Sequence, residues 1–437
     1  MSPVNVIAMI KSKVLPVTLL LYGIALLSSM AGMEILGWLT AALVLVVLVV
    51  ERAKGIKSET VWFKFDWSLV ALFVVVCLGA LTVAPAPPVG SGAVQVIGSA
   101  RFVFLFFLMR LALLWTYSET SWRRAVNILI GAATIIALYA VVQYFTGYEI
   151  IKRTHKVVTV WSTFANGQLY YRAPGLFDHP IRYAYSVAMS LCFPFALAIE
   201  QTKWKSVWTR YAVFACGLAM TFGVFASLTR GAWVAVAVAM LVLCCFQSWK
   251  KVLAIVGAAA VVSGLLAISR PELLMRAQSG SDAEKISNSI RIELWKVHFK
   301  MFEDSPIIGV GYGENETLVG TYLKKSGKAE DLVGGHAHNN YLQMLAGTGV
   351  LGFSCYMIFI CGYLWLAFRL IRETPAHTWM RGFALAVLCV QIVMHVGGLT
   401  ECNFKSAQLN HFFMFTLAAL SVAFVKTSRR GVVSADR

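Results

Sequence analysis

About twelve stretches of this chain stay apolar for the roughly 20 residues that a helix needs to cross a ~30 Å hydrocarbon core, and that repetition fixes the solvent in which most of it folds. Hydrophobic residues are 59% of the 437 and charged residues 14%, with mean hydropathy +0.71, outside the range of globular domains. The runs lie near 15–32, 34–50, 67–84, 96–116, 124–146, 181–199, 208–228, 231–248, 251–268, 341–368, 379–398 and 409–425. The expected fold class is an all-α polytopic membrane protein of about 12 transmembrane helices. Nine spans fall in residues 1–268, a large and partly helical outer loop in 269–340, and three spans with a short tail in 341–437.

The charge is distributed by side. Lys11 and Lys13 precede the first span, Lys426, Arg429 and Arg430 follow the last, and loops on that same side carry Arg52, Lys57, Arg123, Arg124, Lys250 and Arg369. The opposite short loops, near 31–34 and 85–95, carry no Lys or Arg. By the positive-inside rule the basic side, with both termini, is cytoplasmic. Much of the +17 net charge is then orientation signal, and nucleic acid is not needed as a partner. The first span reads as a retained helix, since its apolar region exceeds that of a cleavable signal. Eight of nine cysteines fall within the spans, leaving only Cys402 in an outer loop, so no disulfide framework is expected.

Two outer loops are long, about 147–180 and 269–340, and long loops in compact proteins tend to carry function. The larger is helical from about Ile290 to Phe302: Ile290, Leu294, Val297 and Met301 form an apolar stripe beside a face bearing Arg291, Trp295, His298 and Phe302. A turn-rich connector follows, from Ser305 to Gly313, and Glu314-x-Glu316 after it reads as a solvated loop. The smaller loop ends in Arg172 and Arg182 around an Asp178–His179 pair, and Arg230 opens the eighth span. One arginine at a helix end usually snorkels to lipid phosphate. Four of them, Arg172, Arg182, Arg230 and Arg291, on the side that the inside rule keeps poor in cations, point instead to a pyrophosphate, which a guanidinium fork binds through paired oxygens. Arg101 and Arg110 lie within the fourth span and either line a cavity or pair with carboxylates.

The larger loop closes on Gly334-Gly335-His336-Ala337-His338-Asn339-Asn340-Tyr341, where two imidazoles and two carboxamides meet the start of the tenth span. A histidine at a membrane boundary is a candidate general base. His336 and His338, two apart in an extended segment, would face the same side as metal ligands do, but further ligands at convincing spacing are missing, so no metal is assigned. Asn339 is equally suited to capping the following helix.

Taken together, Arg172-x-x-Gly175-x-Phe177-x-x-Pro180, Ser227-x-x-Arg230-Gly231-Ala232, Arg291-x-x-x-Trp295 leading to Pro306-x-x-Gly309-x-Gly311, and His338-Asn339-x-x-Leu342 through Gly347-x-Gly349 resemble the bacterial O-antigen ligase family. Its superfamily includes O-antigen polymerases and O-linked protein oligosaccharyltransferases. The resemblance covers essentially the whole chain. It implies an inner-membrane glycosyltransferase with a large periplasmic loop, moving O-antigen from undecaprenyl pyrophosphate to a hydroxyl of lipid A–core oligosaccharide, with membrane lipids around it and no cofactor. In that reading the histidine followed by Asn, His338, is the base, and Arg230 and Arg291 stabilise the departing pyrophosphate. Arg172, Arg182, His336, Asn339, Asn340, Trp295 and Tyr341 would bind substrate. Polymerase and oligosaccharyltransferase share the donor and differ in acceptor; the short tail after the last span favours the ligase. A transporter or lipid flippase would call for paired repeats and mid-membrane ionisable residues in both halves, and no clear repeat is present.

Overall fold

In the computed structural model, the described residues are 2–82, 91–151, 161–165, 168–201, 204, 206–246, 257, 282–325, 327 and 335–435. The chain begins with α1 (Pro3–Met9), a π-helical turn (Ile10–Val14), α2 (Leu15–Ser28), α3 (Met30–Ala53), α4 (Asp66–Thr82), α5 (Ser91–Trp115) and α6 (Glu119–Thr146). A hairpin of β1 (Trp161–Ala165) and β2 (Gln168–Arg172) follows, antiparallel with Trp161 opposite Arg172. Then come α7 (Pro180–Ser190), α8 (Cys192–Glu200), α9 (Val207–Ala226), α10 (Arg230–Cys245), α11 (Asp282–Asp304), α12 (Glu314–Thr317), α13 (Val319–Lys325), α14 (Asn340–Glu373), α15 (Trp379–Gly397) and α16 (Ala407–Ala435).

Among the described residues nine helices are long and apolar enough to cross a membrane, and Asp66–Leu81 and Arg230–Cys245 are shorter apolar helices. Eleven of the twelve expected runs thus coincide with apolar helices; the ninth, 251–268, lies outside the described residues apart from residue 257. The chain is an all-α multi-pass membrane protein, with the hairpin between α6 and α7 as a small exception.

Two spans are less regular than their hydropathy predicts. The sixth is divided into α7 and α8 at Leu191, where Pro194 has no N–H to give to the carbonyl of Ser190. The tenth, α14, contains a non-helical residue, Gly349, at φ +60° and ψ −167°. The connector after α11 fills that break: Val310 N donates to Ala346 O at 2.9 Å, and Val350 N and Leu351 N donate to Pro306 O and Ile307 O at 2.8 and 3.2 Å. Backbone meets backbone here, so a Cβ at Gly309 would sit 2.4 Å from Thr348 N, and one at Gly349 2.4 Å from Ile307 C. Gly309 also has φ +72°, so both glycines are required by conformation as well as by space.

The helix α11 starts eight residues before the expected Ile290, because its first two turns are polar and carry no apolar period. Leu294, Val297 and Met301 bury as the stripe predicts, against Val310, Val319, Leu323 and Ala346. At the opposite end of the bundle, Lys11 pairs with Glu51, Lys426 with Glu59 at 3.1 Å, and Arg381 with Glu200 at 3.4 Å. An apolar cavity of 160 Å³ lies toward that end, lined among others by Pro16, Leu26, Trp122, Phe193, Phe383 and Phe412. No charged side chain lines it, so its chemistry is that of packing and lipid.

Candidate active site

The helix ends opposite those ion pairs gather the residues singled out in the sequence. Asn339 caps α14: its Oδ1 accepts from Tyr341 N and Leu342 N at 2.9 and 3.1 Å, and its Nδ2 donates to Leu399 O at 3.1 Å. Asn340 N donates to Gly398 O at 2.7 Å, and Asn340 Oδ1 accepts from Phe404 N at 3.0 Å. The turn between α15 and α16 is thereby stitched to the start of α14. That stitching delivers a residue that sequence reasoning missed, Glu401, beneath the histidines.

Glu401 is 7% exposed and grips two groups at once. Its Oε2 lies 3.0 Å from His338 Nδ1, and its Oε1 accepts from Arg291 Nη2 at 2.7 Å. Burial would raise its pKa, but the hydrogen bond from His338 and the charge of Arg291 hold the carboxyl below its ordinary value, so it stays ionised. A carboxylate on Nδ1 selects the tautomer with the proton there and leaves Nε2 as the basic nitrogen. His338 adopts φ +46°, a left-handed conformation that costs a non-glycine residue on the order of 1 kcal/mol and clusters at functional sites.

The two histidine rings meet, their centroids 4.1 Å apart, and His338 N donates to His336 Nδ1 at 3.3 Å. They meet through the left-handed turn at His338 and not through the extended segment the spacing predicts. Burial, and then the nearby His338, push His336 down to about 4, so it is neutral at physiological pH. Among the described residues, no group of three or more His, Cys, Asp or Glu could hold a metal ion.

The turn carrying the histidines is held from below. Trp295 Nε1 donates to Ala337 O at 2.9 Å, and Ala337 N donates to Gln343 Oε1 at 2.9 Å. Gln343 Nε2 donates to Glu316 Oε1 at 2.7 Å, and Lys405 pairs with Glu316 Oε2. The solvated reading of Glu314-x-Glu316 is therefore corrected: Glu314 is 5% exposed, and burial raises the pKa of Glu316 despite the opposing Lys405. Two carboxylates on a short helix carry no hydropathy signal of burial; tertiary packing against α14 supplies it. Tyr341 Oη reaches His395 O at 3.3 Å. Trp295, Asn339, Asn340 and Tyr341 thus all engage protein backbone.

The arginines converge on the same end. Arg172 Nε donates to Ser227 O at 3.3 Å, beside the α9–α10 turn, and Arg182 pairs with Asp178 at 2.6 Å. Burial and the charges of Arg172 and Arg182 lower the pKa of His179, with Asp178 and Glu401 opposing, so both arginines lie within electrostatic reach of one imidazole that also senses Glu401. Arg230 is exposed at the first position of α10. Its neighbour Gly231 packs so closely that a Cβ there would stand 2.7 Å from Tyr185 Oη and 2.8 Å from Thr400 Oγ1, one residue from Glu401. Arg101 and Arg110 are not at the site: they pair with Glu34 and Asp66, each at 2.8 Å.

Residues 214–357 match the model of a family described as Wzy_C, O-Antigen ligase. The match spans Arg230, Arg291, Trp295 and the whole His336–Tyr341 segment, and leaves out Arg172, Arg182 and Glu401. No curated protein sequence matches the chain. A solved chain from the study "Structural coordination of polymerization and crosslinking by a peptidoglycan synthase complex" aligns over 84% of this chain and 99% of its own, at 18% identity and a TM-score of 0.38. That likeness is too weak to bear on fold or chemistry. The family describes ligase- or polymerase-type glycosyl transfer between a lipid-linked glycan donor and an acceptor. The resemblance read from the sequence motifs is thus supported over residues 214–357, where this multi-pass membrane chain is similar to the O-antigen ligase family.

Proposed function

We propose that the protein is an O-antigen ligase of the bacterial inner membrane, joining O-antigen from undecaprenyl pyrophosphate to lipid A–core at the periplasmic face. The observation that carries this reading is the His338–Glu401 contact at 3.0 Å on the end of the bundle where Arg172, Arg182, Arg230 and Arg291 gather. The charge asymmetry of the loops supports a periplasmic site and cytoplasmic termini. In the reaction, His338 Nε2 takes the proton of the acceptor hydroxyl as its oxygen attacks the anomeric carbon. The bond from that carbon to the pyrophosphate breaks, and the developing negative charge falls among the arginines. One displacement inverts the anomeric centre. His336, neutral and against the His338 ring, adds bulk without a competing charge. No step requires a metal or cofactor.

The test is ligation by purified protein given lipid-linked O-antigen and lipid A–core, with and without chelator. Wild type forms product in both, and His338→Ala loses on the order of 10²–10⁴ in rate, the range of general acid–base catalysis. Elongation of the lipid-linked glycan in place of transfer to lipid A–core identifies a polymerase, transfer to a protein hydroxyl an oligosaccharyltransferase, and full activity of His338→Ala removes this mechanism.

A further inference from the structure

Arg291 has a nearer obligation than a pyrophosphate. Its Nη2 lies 2.7 Å from Glu401 Oε1, while the other oxygen of the same carboxylate lies 3.0 Å from His338 Nδ1. One carboxylate is thereby shared between a permanent cation and a titratable ring, and its negative charge is divided between them. We propose that Arg291 and Glu401 form a positioning relay that sets the basicity of His338: Glu401 raises it and fixes the tautomer, and Arg291 holds that rise in check.

The geometry makes the division specific. Arg291 and Trp295 stand one helical turn apart on α11, and Trp295 fixes the Ala337 carbonyl at 2.9 Å, so the helix that presents the cation also clamps the turn that presents the imidazole. Glu401 comes from the α15–α16 turn, held to α14 by Asn339 and Asn340. The distance from guanidinium to carboxylate to imidazole is consequently set by three separate elements. A base needs to be neutral before reaction and basic during it, and an unshared buried carboxylate would keep the imidazole protonated. The arginine beside it removes part of that pull.

The other charged and titratable groups facing this centre come from every neighbouring element. They are His298 of α11, His336 in the same turn, Lys405 with Glu316 across the α15–α16 turn, and His179 with Arg172, Arg182 and Asp178 at the start of α7. Arg230 stands at the start of α10. Of the contacts to the His338 ring, Glu401 bonds Nδ1 directly and Arg291 bonds the same carboxylate, while His336 accepts from the His338 main-chain N–H.

The inference rests on His338 being the base, but its test does not require turnover. Diethyl pyrocarbonate acylates neutral imidazole, and the rate of labelling at His338 against pH gives the midpoint of its titration. Fragment ions from mass spectrometry separate His338 from His336. In detergent-purified full-length protein, Glu401→Gln moves the midpoint down by half a pH unit or more, and Arg291→Gln moves it up. Glu401→Asp and Arg291→Lys, which keep the charges, return it toward wild type and serve where a neutral variant does not purify as a monodisperse species. Opposite shifts establish the relay. Shifts in the same direction, or none in either variant, overturn it. Opposite shifts with no glycan transfer by wild type would retain the relay and discard the ligase reading.

Discussion

Two arginine–carboxylate pairs of nearly equal length, Arg110–Asp66 at 2.8 Å and Arg291–Glu401 at 2.7 Å, do opposite work in this molecule. Arg110 and Asp66 are 2% and 0% exposed, and both oxygens of Asp66 are engaged within the protein: Oδ2 also accepts from Phe63 N at 2.7 Å, and Oδ1 from Tyr363 Oη at 2.9 Å. Tyr363 continues to Ser421 at 3.2 Å, tying α4, α5, α14 and α16 together. Arg291 is 28% exposed, and its partner Glu401 turns its second oxygen to a histidine that is equally exposed. A closed network holds helices together; an open one with a titratable member can act on something outside itself. The same pair of residue types becomes scaffold or site according to how completely its hydrogen bonds are used.

The comparison breaks most readily at Asp66. Asp66→Ala strands Arg110 in an apolar interior and is expected to cost about 3–5 kcal/mol, read as a large fall in thermal unfolding temperature in detergent. Glu401→Ala leaves Arg291 able to turn to water and should cost about 1 kcal/mol. Equal losses would mean that both pairs are scaffold. Next in size, Gly349→Ala forces a side chain into the Ile307 backbone at φ +60°, with an expected loss of roughly 1–3 kcal/mol and weakened protease resistance of the connector. An unchanged unfolding temperature would show that the break in α14 relaxes freely.

A smaller effect follows from pH. His336 has its folded pKa lowered from 6.5 to about 4, so between those values the unfolded chain binds more protons and stability falls as pH falls. From pH 6.5 to 5 the loss is roughly 1–2 kcal/mol at 1.36 kcal/mol per unit. His336→Gln should flatten the dependence of unfolding temperature on pH over that window. His298, also pushed to about 4 by burial, leaves a residual slope. A variant as steep as wild type would place the acid sensitivity elsewhere.

The apolar runs made the spans legible because lipid imposes one requirement, length, that hydropathy reports directly. Pro194 and Gly349 interrupt two of those spans without shortening the apolar run, so the breaks were invisible to it. The His336–His338 turn, the apolar stripe of α11 and the four arginines at helix boundaries were legible for a local reason: each is a short pattern. Glu401 was not, because it is one carboxylate 63 positions from its histidine, and only the turn joining α15 to α16 brings them together. A signal did exist. Glu401 is the sole acidic residue between Glu373 and Asp436, and a lone carboxylate in the turn between two apolar helices calls for a partner. Arg101 and Arg110 stayed ambiguous for the same cause, since Glu34 and Asp66 lie 67 and 44 positions away.

The connector that crosses α14 at Gly349 also limits how this protein can open. Three main-chain hydrogen bonds anchor the connector that follows α11, while Arg291 and Trp295 anchor the middle of the helix itself. A rod fastened at two points cannot swing as a door. The turn that carries the histidines, clamped by Trp295 of the same helix, is held in register with that rod.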